Sequence, residues 1–216
     1  MAMLQHSTLA SMYIPNINKM ADKAKAVDFM KRFSFATIIT SKNNFPIATH
    51  LPFVIKEEND QLFLLSHVAK QNEQWKHIEG SMVLVIFSEP HAYISPTNYE
   101  QDLNVPTWNY IAVHAYGKGQ LITKHEDVID LLQSTIGNYE ASYREQWNRL
   151  PEKYRYGQMM GIVAFKIEVT EIQAKEKLSQ NKTRKEQQKI IDALSASKDT
   201  NERITAEYMK QNLQQK

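Results

Sequence analysis

Residues 35–66 read FATIITSKNNFPIATHLPFVIKEENDQLFLLS, and this stretch decides the fold. β-Branched and aromatic residues gather in 35–40, 45–55 and 62–66, separated by the polar turns SKNN (41–44) and EEND (57–60). Short apolar runs joined by four or so polar residues are hairpins, so the stretch predicts two successive antiparallel turns of chain. Pro46 sits near the start of the second strand. Downstream, MVLVIF (82–87) is a continuous, β-branched run fit for a buried strand. HAYIS (91–95) is a further strand stopped by Pro96. Residues 107–117 alternate as a long strand continuing through 120–123, and 161–170 alternate as the last one. Upstream, residues 21–33 carry Ala26, Val27, Met30 and Phe33 at helical spacing. Residues 68–79, 126–136 and 140–156 also read as helical, the last interrupted at Pro151. Residues 183–216 form one or two helices with Ile190, Ile191 and Leu194 on one face. The expected fold is mainly β (α+β), a small antiparallel barrel flanked by helices, and not a βαβ sheet.

Composition narrows the chemistry. The 216 residues contain no cysteine, which removes thiolate catalysis and Cys-ligated metals, and only six glycines. No three of them make GxGxxG, because position 122 is Ile122, and no P-loop is present. A nucleotide would therefore be held by side chains. The seven histidines form no HExxH and no local metal-ligating pair. No apolar run is long enough to cross a bilayer, and the first residues do not read as a secretory signal, so a cytoplasmic location is expected. Net charge is +2, with six basic and two acidic residues between Lys175 and Lys189. Taken alone, that run reads first as a solvated face.

Three clusters can carry chemistry. Ser66, His67, Lys70 and Asn72 bring hydroxyl, imidazole, ammonium and amide groups to a strand-to-helix junction. Such a junction can hold a phosphate or simply cap the helix with Ser66; the local pattern supports both equally. Tyr93, Trp108, Asn109 and Tyr110 supply aromatic surface that fills a core or faces a flat ligand or dimer partner. Lys177-Leu178-Ser179-Gln180-Asn181 gathers donors and acceptors at the head of the basic run and otherwise reads as a polar linker. His50, beside Pro52 in a predicted strand, is a core histidine or a polar group at a barrel rim.

The motifs Met12-Tyr13-Ile14-Pro15, Thr49-His50-Leu51-Pro52-Phe53, His67-Val68-Ala69-Lys70-Gln71-Asn72-Glu73-Gln74-Trp75, Tyr93-Ile94-Ser95-Pro96, Val105-Pro106-Thr107-Trp108-Asn109-Tyr110 and Lys177-Leu178-Ser179-Gln180-Asn181 occur in this order. Together they closely resemble the PaiB family, FMN-binding negative transcriptional regulators of protease synthesis and sporulation. The resemblance runs over about residues 12–210. It implies an FMN-binding split β-barrel, related to pyridoxamine-phosphate-oxidase-like flavoproteins, that forms a homodimer with flavin at the subunit interface. It implies three segments: an N-terminal extension at 1–11 with no assigned function, a split-barrel domain at 12–172 and a basic helical segment at 173–216 that packs on the barrel or on the partner chain. Ser66, His67, Lys70 and Asn72 are then expected on the FMN phosphate and ribityl chain. Thr49, His50 and Leu51 are expected along the isoalloxazine edge, and Trp108 and Asn109 at the pocket or interface. Lys177, Ser179, Gln180 and Asn181 are expected to close over the site. Two positions depart from the family pattern: Lys70 stands where Arg is usual and Glu73 where Pro is usual. Lys70 keeps the charge without the bidentate fork, and Glu73 adds a nearby negative charge, so both lower the expected FMN affinity.

The resemblance implies repression, yet no helix-turn-helix signature is present and the net charge is small for a direct DNA reader. Two rivals share the same fold. One is an FMN-dependent oxidoreductase, with His50 or His67 as the acid–base group and the flavin doing the redox chemistry. The other is a sensor of a different planar ligand such as heme.

Overall fold

The computed structural model describes residues 12–214; the extension expected at 1–11 lies outside them. Seven strands form one sheet: β1 (Phe35–Lys42), β2 (Phe45–Pro52), β3 (Val54–Glu58), β4 (Gln61–Ala69), β5 (Met82–Ile94), β6 (Thr107–Ile122) and β7 (Ile162–Lys177). Their order is β2-β1-β5-β6-β7-β4-β3. Six α-helices accompany them: α1 (Lys23–Arg32), α2 (His125–Tyr139), α3 (Tyr143–Arg149), α4 (Glu152–Met160), α5 (Arg184–Ser195) and α6 (Thr200–Gln214). The two hairpins read from residues 35–66 form as expected, β1 pairing with β2 and β3 with β4, both antiparallel. The apolar run at 45–55 is broken in two, however. Phe53, between β2 and β3, leaves the ladder and is fully buried in the core.

Three further expectations are corrected. The strands at 82–87 and 91–95 are one strand, β5. The helix expected over 68–79 is strand as far as Ala69, followed by a 3-10 turn, Glu73–His77, with Asn72 as its N-cap. The last strand runs to Lys177, so the tail begun at 173 opens as strand rather than helix.

The chain divides into two compact units. The barrel unit comprises Asp22–Ser88 and Val113–Ile172. Its centre is Phe53, which meets Phe87 and Phe165 edge-on at centroid distances of 6.1 and 6.3 Å. Such pairs add roughly 0.5–1.5 kcal/mol each beyond the area they bury. Ile38, Leu64, Val85 and Ile167, all fully buried, pack in the same unit. Ser66 Oγ on β4 donates to Pro52 O on β2 at 2.7 Å. β2 ends the strand order on one side and β4 is next to last on the other, so this bond draws the two ends together, as closure of a barrel requires. The scarce glycines serve close approach here. A Cβ on Gly117 would lie 2.3 Å from Glu168 O, and one on Gly119 2.4 Å from Ile78 O.

The second unit, here the helical-hairpin unit, comprises residues 12–21, 89–112 and 173–214. The segment from 173 onward therefore shares its unit with two earlier pieces of chain rather than standing alone. Thr183 and Glu186 form a reciprocal capping box at the start of α5. Ile190, Ile191 and Leu194 of α5, and Ala206, Tyr208 and Met209 of α6, are buried. The C-terminal helices pack on their own chain: Glu186 Oε1 accepts from Glu100 N, Lys185 pairs with Glu100, and Asn109 Nδ2 donates to Met209 Sδ at 3.4 Å.

Candidate functional site

Seven of the thirteen residues expected at the cofactor fall in the barrel unit and six in the helical-hairpin unit. The barrel group is Thr49, His50, Leu51, Ser66, His67, Lys70 and Asn72. In β4 buried and half-exposed positions alternate, so Ser66 and His67 point to opposite faces of the sheet. Ser66 is 3% exposed, and its single hydroxyl proton is spent on Pro52 O. Ser66 thus acts as a strut between strand ends. Thr49 and Asn72 are committed in the same way. Thr49 Oγ1 accepts from Asn72 Nδ2 at 3.0 Å and donates to Gln74 Oε1. Gln74, 2% exposed, donates in turn to Ile47 O and Ile38 O, and its own backbone N–H is received by Asn72 Oδ1. This network pins the 3-10 turn to the β1–β2 edge. Gln74 is the group sequence reasoning missed, because a polar residue in a polar stretch gives no sign that it will be buried.

His67, Lys70 and His50 remain available. Burial holds the His67 imidazole below its ordinary pKa, so at neutral pH it is uncharged and offers one N–H donor. The Lys70 ammonium is exposed and makes no side-chain hydrogen bond among the described residues, while the Lys70 carbonyl accepts from Trp75 Nε1 at 3.1 Å. The formal charge for a phosphate at this strand end therefore rests on Lys70. Glu73 is tied to Lys76, whose hydrogen bond holds the carboxyl below its usual range. Its negative charge is thus answered within the turn. His50 is exposed on β2, and Leu51 is buried on the opposite face of that strand.

In the helical-hairpin unit, Asn109, Lys177, Ser179 and Asn181 line one cavity of about 210 Å³. Asn109 is fully buried and accepts at Oδ1 from Ser179 Oγ at 3.0 Å. Ser179 reaches it from a left-handed backbone conformation, φ 60°. Lys177 Nζ donates to Thr107 Oγ1. Gln180 is turned elsewhere: its Oε1 accepts from Leu178 N and its Nε2 donates to Glu176 O, so it caps the exit of β7. Trp108 projects from the other face of β6 and is half exposed. It stands 5.6 Å from the His91 ring and 6.0 Å from the Tyr93 ring. The basic run is divided: Arg184, Lys185 and Lys189 are solvated, whereas its first three lysines are not. Lys175 is buried over the Tyr13 and Tyr110 rings, and Lys182 lies 3.6 Å from the Tyr99 ring centroid. Among the described residues no cluster of histidines and carboxylates suits a metal ion, and no helix is long and apolar enough to cross a membrane.

The donor set suits a flavin mononucleotide. An ammonium three residues along the chain from a neutral imidazole can receive a phosphate without a glycine loop, and an end strand such as β2 offers backbone groups to ring heteroatoms. These features define a split-barrel protein with flanking helices. Residues 12–171 match the family described as "Putative FMN-binding domain", and the chain belongs to this FMN-binding, PaiB-type family. FMN is its cofactor. The chain is 38% identical over 206 residues, 94% of its length, to the Bacillus subtilis "Protease synthase and sporulation protein PAI 2", covering 98% of that protein. Its fold is like that of the FAD and heme binding protein from Mycobacterium smegmatis (TM-score 0.57, 12% identity, 74% of this chain and 73% of that one). It is also like that of the flavocytochrome Anf3 from Azotobacter vinelandii (TM-score 0.56, 15% identity, 72% and 67%).

Proposed function

We infer that the protein is an FMN-binding negative regulator of transcription of the PaiB type, acting in the cytoplasm as a homodimer. The observation that carries this reading is the likeness to PAI 2, which runs nearly end to end in both chains. Lys70 takes the FMN phosphate charge and His67 adds a neutral donor, while the 49–51 segment of β2 borders the ring through its backbone. Bound FMN supplies a redox-active ring; the chain supplies its orientation and its anchoring charge. The half-exposed cluster of His91, Tyr93 and Trp108 is the apolar surface on which two copies meet.

The test is retardation of a promoter fragment by FMN-loaded and FMN-free protein across a salt series. A complex that weakens steeply with salt and differs between the two forms supports direct, flavin-dependent repression. No retardation in either form removes it. A second reading, an FMN-dependent oxidoreductase, draws on the neutral His67, which can accept a proton at neutral pH. Bleaching of bound flavin by NADPH would favour it.

A further inference from the structure

We propose that the cavity of the helical-hairpin unit binds a small oxyanion, a carboxylate or phosphate monoester, as a ligand separate from the flavin. The inference rests on the flavin reading in assigning the flavin phosphate to Lys70, and it departs from the expectation that Asn109, Lys177, Ser179 and Asn181 border the flavin. Two lysines, Lys177 and Lys182, line the cavity, and no aspartate or glutamate does. The acid that Lys182 does influence, Glu186, is spent elsewhere: its carboxylate accepts from Glu100 N, Thr183 N and Thr183 Oγ1. Both ammonium groups are held in place by neutral partners. Lys177 Nζ donates to Thr107 Oγ1; Lys182 Nζ donates to Asn104 Oδ1 at 2.8 Å and lies over the Tyr99 ring. An ammonium has three N–H donors, so each keeps donors for a ligand after these bonds are made. Two fixed positive charges facing one small space repel each other, and a bound anion relieves that repulsion while completing their hydrogen bonds.

Size and shape select the ligand class. At about 210 Å³ the cavity is smaller than the roughly 300–1,000 Å³ of sites for drug-sized ligands, so it holds a small molecule or one polar group. Its aromatic wall is Tyr99, which is 7% exposed and already covered by Lys182, so no ring face is free for an isoalloxazine to stack on. Asn109 and Ser179, buried and bonded to each other, form a rigid neutral wall. The geometry is that of a preorganised anion clamp.

The experiment titrates inorganic phosphate, and separately succinate, into the FMN-loaded and FMN-free full chain by calorimetry. FMN binding is followed independently by flavin absorbance. The expected result is one equivalent of phosphate or succinate bound with similar affinity in both forms. Lys182→Met should weaken it about tenfold or more, from the loss of a charge-assisted bond, and leave FMN affinity unchanged. Lys177→Met should weaken the anion as well. Absence of anion binding in both forms overturns the proposal, as does an unchanged anion affinity in Lys182→Met. Loss of phosphate binding on FMN saturation also overturns it, because the occupant is then the flavin's own phosphate. Phosphate binding by a chain that takes up no FMN supports the anion site and defeats the flavin reading alone.

Discussion

The exits of β4 and β7 are built from similar residues and do different work. Each carries a buried serine, Ser66 at 3% and Ser179 at 5% exposure, with lysine close by. Ser66 donates to the backbone of another strand and leaves Lys70 free in solvent. Ser179 donates to the side chain of Asn109, and the nearby lysines, Lys177 and Lys182, are steadied by Thr107 and Asn104. At the first exit the polar groups close a barrel and one cation is spared for binding. At the second they furnish the wall of a cavity. Residue type is the same in both; the partner that tertiary packing supplies decides the role.

The largest test of this contrast is Gln74→Leu. It leaves two backbone carbonyls and the Thr49 hydroxyl without their buried partner, while the backbone N–H of residue 74 still reaches Asn72. Unsatisfied buried groups cost about 1–3 kcal/mol each, so urea unfolding should show a loss on the order of 3 kcal/mol. An unchanged midpoint would mean that the 3-10 turn is not held by this network. Next comes Lys70→Met, which removes a charge-assisted bond to phosphate of about 1.5–3 kcal/mol. FMN dissociation constants from flavin fluorescence should rise about 10- to 100-fold while the urea midpoint stays in place; equal affinity would move the phosphate away from β4.

Ser66→Ala should do the reverse. It loses about 1 kcal/mol of stability with the Pro52 bond and leaves FMN affinity within about twofold of the parent. A large loss of FMN affinity with normal stability would restore Ser66 as a ligand. The smallest effect is in pH. Burial lowers the pKa of His67 and of His114, and the His114 Nδ1 is buried without a hydrogen-bond partner among the described residues. Between the lowered folded value and the ordinary value near 6.5 the unfolded chain binds more protons. Stability from this source is full above about pH 6.5 and declines as pH falls below it. Melting temperatures from pH 7.5 to 5.5 should therefore fall, and less so in His114→Gln; a rise on acidification would contradict the sign.

Much of the molecule was legible in the chain because hairpins are local. The polar turns at 41–44 and 57–60 and the alternation of 107–117 fix strands and register over short separations. The same local logic failed at 68–79. There a polar stretch resembles a helix start, but pairing of β4 with β7, from Ser66↔Phe165 to Ala69↔Ile162, holds the chain extended. It failed again at Phe53, where the core's demand for an aromatic ring interrupts the strand.

The sequence by itself determined the β-rich fold, the family, and the absence of any glycine loop for a phosphate. Those follow from composition, spacing and ordered motifs, which need no neighbours to be read. Only the tertiary structure decided which polar side chains are spent. Ser66, Thr49, Asn72 and Gln180 are bonded within the chain, the Lys70 ammonium has no partner among the described residues, and Lys177 and Lys182 face a cavity without an acid. The physical reason is that a hydroxyl or amide has few donors, and burial beside an unpaired carbonyl claims them before any ligand can.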